Sequence, residues 1–245
     1  YTMHGVAWNE MKYYRHYKKY LAALQYTYLF NRISKKINGF ISISPYVRDE
    51  IKNLINCKIY EIENPLSLRY FNQTDISDKY ILFASEIFEL KGVLDFVKSI
   101  AKSNTKYKVK IIGRVLDKRY YDKVLDFINS RNLKSKIEFC GHLDEKHLLK
   151  HYSSMSFLCL TSKQETAPMV ISESMAMGKP IIAYDVGGIS NMVNDGINGC
   201  LVEPNNIESF AKKISILSND QHLRKKMGLA AKKEAYNRWH CKKVA

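Results

Sequence analysis

The chain has 245 residues, of which 46% are hydrophobic and 26% charged, and its formal net charge is +15 at pH 7. The length allows one large domain or two modest ones with buried cores, and the composition excludes disordered and fibrous proteins. The charge predicts an anionic partner, but no zinc-finger spacing or RNP-type aromatic strand indicates nucleic acid. No apolar run approaches the roughly 20 residues of a membrane-spanning helix, and no secretory signal is visible.

The first predicted element is a long helix over residues 9–36. Basic residues follow one of its faces, and an apolar stripe at spacings of three and four follows another: Tyr14, Tyr17, Leu21, Leu24 and Tyr28. Two interpretations stay open. The helix packs on the core with a solvated basic face, or it lies on an anionic membrane surface.

Short strands are predicted at 40–43 and 57–62, with a helix beginning near Tyr46 between them. The polar stretch that follows, 63–78, is the best candidate for an interdomain linker. It separates an N-terminal part, 1–62, from a larger unit, 79–230.

From residue 79 onward, short apolar runs alternate with segments of helical periodicity, which predicts βαβ units and a parallel sheet covered on both faces. Such sheets bind ligands beyond the carboxyl ends of their strands. The six runs are 80–84, 109–112, 137–140, 157–160, 180–184 and 199–202, and the last helical segments are 207–217, 221–227 and 230–243.

The loop after the fourth run carries most of the chemistry. Pro168 suits the start of a helix, and Gly178 suits its left-handed end. Glu165 then lies in the loop before the helix, and Glu173 lies about a turn and a half inside it. Backbone N–H groups over 166–169 point out of the helix start, which predicts a diphosphate site.

Glu165 and Glu173, with seven residues between them, resemble the E-x7-E signature of the retaining glycosyltransferases of family 4, which have the GT-B fold. Other segments of that family follow in register: Lys91-Gly92, Ile111-Ile112-Gly113, Phe139-Cys140-Gly141, Asp185-Val186-Gly187-Gly188 and 195–204. The resemblance implies an α/β, GT-B-like protein. Its six-stranded, Rossmann-like donor domain would be 79–230, a partial second Rossmann-like domain would be 1–62, and a C-terminal helix, 231–245, would cross back to it. Roughly the first half of that second domain would be absent from the chain.

The same resemblance implies roles for site residues. Glu165 would contact the donor sugar, Glu173 the ribose, and the Lys91 ammonium the pyrophosphate as it departs. His4, at the end of an N-terminal strand, would support catalysis near the sugar. The pyrophosphate would lie on the backbone of Thr166, Ala167, Pro168 and Met169.

Two sites depart from the family pattern. Where the family often has Gly-Arg, this chain has Ser85 and Glu86, and where the family's G-G-x-x-E pattern has its Glu, this chain has Asn191. A carboxylate at residue 86 would repel phosphate. Either Glu86 points elsewhere or another cation compensates, with Lys163 and Arg114 as the nearest candidates by motif position.

No metal or other cofactor is predicted. His147 and His151 have i, i+4 spacing, but no third ligand is evident and no D-x-D motif occurs. The five cysteines are odd in number and lack a CxxC pair, which predicts thiols of a reducing compartment.

The resemblance implies transfer of a sugar from a UDP-, GDP- or similar donor to a saccharide or lipid-linked acceptor, in the synthesis of surface polysaccharide, lipopolysaccharide or glycolipid. We expect a cytoplasmic protein, peripheral on the inner face of the membrane. Two alternatives stay open. One is a GT-B-shaped sugar-nucleotide isomerase or epimerase, and the other is a basic, non-enzymatic binding module, which depends on charge alone.

Overall fold

The computed structural model describes residues 2–3, 17–73 and 77–244. Two parallel sheets organise these ranges. The smaller sheet has the strand order β1-β2-β3. Its strands and the helices between them are β1 (Thr2–Met3), α1 (Tyr17–Ile33), β2 (Gly39–Ser42), α2 (Pro45–Ile51) and β3 (Lys58–Glu61).

Helix α1 is buried along a different stripe from the predicted one. Leu24 and Tyr28 are 40% and 62% exposed. Phe30 and Ser34 are buried instead, and Phe30 packs against Phe40 of β2 with ring centroids 6.1 Å apart. The core-packing interpretation is therefore wrong for Leu24 and Tyr28, whereas the membrane interpretation, which leaves them exposed, stays a prediction. Because α1 carries apolar residues on more than one face, periodicity could not identify the face that the sheet covers.

The larger sheet has six strands in the order β6-β5-β4-β7-β8-β9, and every neighbouring pair is parallel. This confirms the predicted α/β class and the six-stranded sheet. The strands are β4 (Tyr80–Ala84), β5 (Lys108–Ile112), β6 (Ile137–Gly141), β7 (Met155–Leu160), β8 (Ile181–Tyr184) and β9 (Gly199–Val202).

Helices cover both faces of this sheet, which explains why its central strands are apolar throughout. Alternate residues of β4 enter two separate cores: Leu82 lies in one, and Ile81 and Phe83 lie in the other. The helices are α3 (Val93–Lys102), α4 (Lys118–Ser130), α5 (Glu145–Ser154), α6 (Met169–Ala176), α7 (Ile207–Asn219), α8 (Gln221–Trp239) and α9 (Cys241–Val244).

Helix α8 joins two segments that the sequence pattern separates. It runs without a break through Gly228 and across residues 230 and 231, where the predicted donor domain ends. A Cβ on Gly228 would lie 2.1 Å from the carbonyl oxygen of Gly178, just beyond α6. The glycine therefore permits close packing of α8 on the end of α6; it does not end a helix.

The predicted linker is packed against the end of α8. The N–H of Leu66 donates to the Trp239 carbonyl at 2.8 Å, and the Arg238 guanidinium forms an ion pair with Glu63. A 3-10 turn at Leu68–Tyr70 follows. The connecting segment thus has fixed contacts with the last long helix, whereas the domain limits themselves stay predictions.

Candidate functional site

The carboxyl ends of the larger sheet bring Lys91 and Glu165 together. Lys91 ends a 3-10 turn after β4, and Glu165 lies in the loop after β7. The Lys91 ammonium donates to the Glu165 carboxylate at 2.7 Å, and the two side chains are only 21% and 10% exposed. Two predicted site residues 74 positions apart in the chain therefore share one partly buried ion pair.

Hydrogen bonds to two backbone carbonyls hold the two loops in this arrangement. The Thr161 hydroxyl donates to the Gly92 carbonyl at 2.8 Å, and the Lys163 N–H donates to the Leu90 carbonyl at the same distance. Gly92 has a left-handed φ of 67°, and a Cβ on it would lie 2.0 Å from the Thr161 carbonyl oxygen. The glycine after Lys91 thus allows its turn to touch the loop that carries Glu165.

The start of α6 lies beside this ion pair. Pro168 occupies the N-cap position and Met169 is the first helical residue. Pro168 has no N–H, so it cannot be one of the predicted donors and contributes only the fixed turn. Within the described ranges, the N–H groups of Thr166, Ala167 and Met169 donate no hydrogen bond to the protein. They leave a local positive potential at the helix start.

Glu173 faces two tyrosines that sequence reasoning missed. The Tyr70 hydroxyl donates to Glu173 Oε1 at 3.1 Å, and the Tyr152 hydroxyl donates to Oε2 at 2.6 Å. Burial raises the pKa of the Glu173 carboxyl, and the two hydroxyl donors oppose that rise. Burial and the nearby Glu173 carboxylate raise the pKa of the Tyr152 hydroxyl well above its usual value.

The glycine pair after β8 supports the same loop. The Gly188 N–H donates to the Glu165 carbonyl at 3.0 Å. A Cβ on Gly188 would lie 1.8 Å from the Thr166 carbonyl oxygen, and one on Gly187 would lie 1.9 Å from that of Glu165. Any side chain at either position would push this loop away from the sheet.

Two residues near the smaller sheet also contact the site loop. Gln164 Nε2 donates to the Tyr46 hydroxyl at 2.7 Å, and the Ser44 hydroxyl donates to the Thr166 carbonyl at 3.3 Å. Sequence reasoning identified neither contact, because nothing in the local pattern relates residues about 120 positions apart.

Two of the residues at the family departures lie at the protein surface. Glu86 and Arg114 are exposed, and Asn191 is exposed with its carbonyl accepting from Arg238 at 2.7 Å. Lys163 lies beside the Lys91 turn, with its ammonium 3.9 Å from the Glu89 carboxylate. Of the two cations considered as compensation for Glu86, Lys163 is therefore the one that adjoins the Lys91–Glu165 pair.

Three histidines complete the set of candidate residues from the sequence. His4 lies outside the described residues. The rings of His147 and His151 have separate partners, Asp144 and Tyr80, each at 2.8 Å. In the described ranges no group of three or more His, Cys, Asp or Glu side chains could hold a metal ion. Nor is any helix there long and apolar enough to cross a membrane.

A protein of Methanocaldococcus jannaschii described as an uncharacterized glycosyltransferase is 31% identical over 205 residues, which is 82% of this chain and 55% of that protein. The N-acetyl-alpha-D-glucosaminyl L-malate synthase of Bacillus anthracis is 26% identical over 194 residues, 79% of this chain and 50% of the enzyme. The chain thus spans about half the length of these curated relatives.

The crystal structure of Anabaena HepE in complex with UDP and glucose superposes with a TM-score of 0.84. The match covers 100% of this chain and 68% of HepE at 19% identity, so it shows the fold, and with it the predicted GT-B class. The family Glycosyl transferases group 1 matches residues 68–234, which contain the Lys91–Glu165 pair, Glu173 and the glycine pair. The chain therefore belongs to the group 1 glycosyltransferases.

Proposed function

We propose that this chain binds a nucleoside diphosphate sugar at the carboxyl edge of the larger sheet, as the donor-binding part of a retaining glycosyltransferase. The observation that carries the proposal is the Lys91–Glu165 ion pair beside the start of α6. A cation and unpaired N–H groups suit a diphosphate, and carboxylates on both sides of them suit sugar hydroxyls.

In this proposal the chain stabilises a leaving group. Negative charge grows on the diphosphate as its bond to the sugar breaks, and Lys91 with the N–H groups of Thr166, Ala167 and Met169 would offset that charge. Glu165, already paired with Lys91, would contact the sugar, and Glu173 would accept from the ribose hydroxyls. Because these groups supply positive charge to the diphosphate, we expect transfer without an added metal ion.

The choice of donor and acceptor is proposed from the related proteins and the family resemblance. UDP and glucose are bound in the HepE structure, so UDP and UDP-glucose are the first candidates for the donor. The Bacillus relative is named N-acetyl-alpha-D-glucosaminyl L-malate synthase. The family resemblance favours a saccharide or lipid-linked acceptor in polysaccharide, lipopolysaccharide or glycolipid synthesis. The proposal therefore includes a saccharide or lipid-linked acceptor, and it includes His4 as a second catalytic residue.

Calorimetric titration with UDP, GDP and ADP tests the donor site. We expect one nucleotide to bind at micromolar to millimolar Kd and to bind about tenfold or more weakly to Lys91→Met, since a charge-assisted contact is lost. Lys225→Met removes an exposed lysine of α8 far from the pair and should leave the Kd unchanged. Absence of nucleotide binding, or an equal effect of both substitutions, would contradict the proposal.

Incubation with a labelled UDP-sugar separates transfer from isomerisation. Label that reaches a saccharide or lipid only when that acceptor is added supports transfer. A new sugar nucleotide formed without any acceptor supports the isomerase alternative. Binding to nucleic acid that weakens steeply with salt, with no nucleotide binding, would favour the basic module instead.

We also propose that α1 contacts an anionic membrane surface, which would place the protein on the inner face of the membrane. Apolar and basic side chains share the exposed side of this helix and its end: Leu24, Tyr28, Leu29, Arg32, Ile33, Lys35 and Lys36. Such mixtures lie at the boundary between headgroups and acyl chains.

Sedimentation with vesicles tests the membrane contact. Leu29→Asp should reduce binding to phosphatidylglycerol vesicles. Leu229→Asp, the same substitution at an exposed leucine of α8, is the control and should not reduce binding. The role of α1 would be refuted if Leu29→Asp and Leu229→Asp bound phosphatidylglycerol vesicles equally well. It would also be refuted if the unmodified chain bound neutral vesicles as well as phosphatidylglycerol vesicles.

A further inference from the structure

The Glu173 carboxylate is held from two separate elements. Tyr152 lies on α5, and Tyr70 ends the 3-10 turn of the segment that connects the two sheets. Each hydroxyl donates to a different carboxylate oxygen, at 2.6 and 3.1 Å. Because both oxygens are bound, the plane of the carboxylate is fixed, and a glutamate side chain that would otherwise rotate has one orientation.

The pattern of contacts leaves acceptor capacity on each oxygen. An ionised carboxylate has about four lone-pair sites, two on each oxygen. Tyr70 occupies one site on Oε1 and Tyr152 one on Oε2, so one site remains on each oxygen. Two remaining acceptors on adjacent oxygens match the two hydroxyls of a vicinal diol, each of which donates one hydrogen bond.

The tyrosines depend on the carboxylate in turn. Tyr152 is fully buried and Tyr70 nearly so, and their rings pack edge to face at 6.2 Å between centroids. A buried hydroxyl without a partner is costly, so the rings can close over each other only because Glu173 accepts from both. Carboxylate, hydroxyls and ring contact therefore form one unit.

Tyr70 links this unit to the connecting segment. Its neighbour Arg69 reaches across to α5 and forms an ion pair with Glu145 at 2.9 Å. The same segment is bound to the end of α8 through Leu66. Besides its bond to Glu173, Tyr70 is thus held by contacts of its own segment with α5 and α8.

We propose that Tyr70 and Tyr152 are positioning residues that orient Glu173 toward the ribose diol of the nucleotide, so that recognition of the ribose depends on the connecting segment as well as on the donor-binding helix. This inference rests on the proposed function, which places the nucleotide ribose at Glu173. Neither tyrosine touches the nucleotide; both act through the carboxylate.

The test compares UDP with 2′,3′-dideoxy-UDP, which lacks the diol, by calorimetry on the full chain. The readout is the Kd of the dideoxy nucleotide divided by that of UDP. We expect a ratio of about ten or more for the unmodified chain, since hydrogen bonds to a charged group are among the strong ones. Glu173→Gln should bring the ratio close to one.

Tyr70→Phe and Tyr152→Phe should each reduce this ratio about threefold or more, by weakening UDP binding and leaving the dideoxy Kd unchanged. A merely structural role would raise both Kd values together and keep the ratio. Tyr80→Phe is the matched control, because its hydroxyl contacts His151 on the same helix α5 and not Glu173. Its ratio should equal that of the unmodified chain.

The outcomes separate the two proposals. If Glu173→Gln abolishes ribose discrimination while both tyrosine variants keep the original ratio, the positioning role is wrong and the proposed function stands. If GDP or ADP binds in place of UDP, the same ratio is measured with the 2′,3′-dideoxy form of that nucleotide. If none of the three binds, or Glu173→Gln keeps the ratio, the proposed function fails and the positioning role fails with it. Should Tyr152→Phe not fold, Tyr70→Phe at the edge of the cluster decides alone.

Discussion

Lys179 is a lysine that the fold buries at the end of the larger sheet opposite the candidate site. It is 5% exposed, and its ammonium donates to the Ser77 carbonyl at 2.5 Å. It also lines a cavity of about 370 Å³ together with Asp78 and Arg224. Burial lowers the pKa of Lys179 from 10.5 to about 8, and the Arg224 charge adds to that lowering while Asp78 opposes it.

The cost of burying this charge follows from the shift. A change from 10.5 to about 8 is about 2.5 pKa units, or about 3 kcal/mol at about 1.4 kcal/mol per unit. Between these two pKa values the unfolded chain binds more protons than the folded one. The free energy of unfolding therefore rises with pH across the window from about 8 to 10.5, where the penalty disappears.

Urea unfolding of the unmodified chain and of Lys179→Met at several pH values measures this effect. Losing the hydrogen bond to Ser77 should cost about 1–2 kcal/mol at every pH, so the variant should be about 1–2 kcal/mol more stable near neutral pH. That advantage should fall by about 3 kcal/mol as the pH passes from about 8 to 10.5. Tyrosine titration affects both chains equally and cancels in the difference.

Lys225→Met is the matched control, since Lys225 lines the same cavity but is exposed. It should show no pH-dependent difference from the unmodified chain. The buried-charge reasoning would be refuted if the stability of Lys179→Met relative to the unmodified chain did not vary with pH, or increased as the pH rises.

Three further predictions concern the candidate site. Gly188→Ala should lower stability by about 2 kcal/mol and weaken UDP binding, because its Cβ would lie 1.8 Å from the Thr166 carbonyl oxygen; thermal unfolding and calorimetry measure both. Lys91→Met leaves the Glu165 carboxylate facing the diphosphate, so the UDP Kd should rise about tenfold or more, whereas equal binding would contradict the pairing. Acidification should weaken UDP binding at a higher pH than an ordinary carboxyl would, because the pKa of Glu173 is raised, and Glu173→Gln should abolish that dependence.

Much of the architecture of the larger sheet could be predicted from the chain alone. The strands β4 and β9 begin and end where the apolar runs 80–84 and 199–202 predicted, and Gly178 has the left-handed φ of 69° expected of a helix end. These features are local: an apolar run of the right length and a residue tolerant of left-handed backbone specify a strand and a helix end wherever they occur.

Other features escaped prediction because they depend on the surroundings. Gly228 looks like a helix end in the sequence, yet α8 continues through it. The glycine is there because the carbonyl of Gly178 approaches too closely for any side chain. The buried stripe of α1, with Phe30 and Ser34, was missed because only the position of β2 selects among the apolar faces of that helix.

The sequence by itself determined the six-stranded parallel sheet and the helix that begins at Met169, since both follow from patterns only a few residues long. The tertiary structure alone decided that Lys91 pairs with Glu165, 74 positions away, and that Tyr70 reaches Glu173 across 103 positions. The physical reason is that such contacts depend on how the strand order brings loop ends together, and no local periodicity encodes that order.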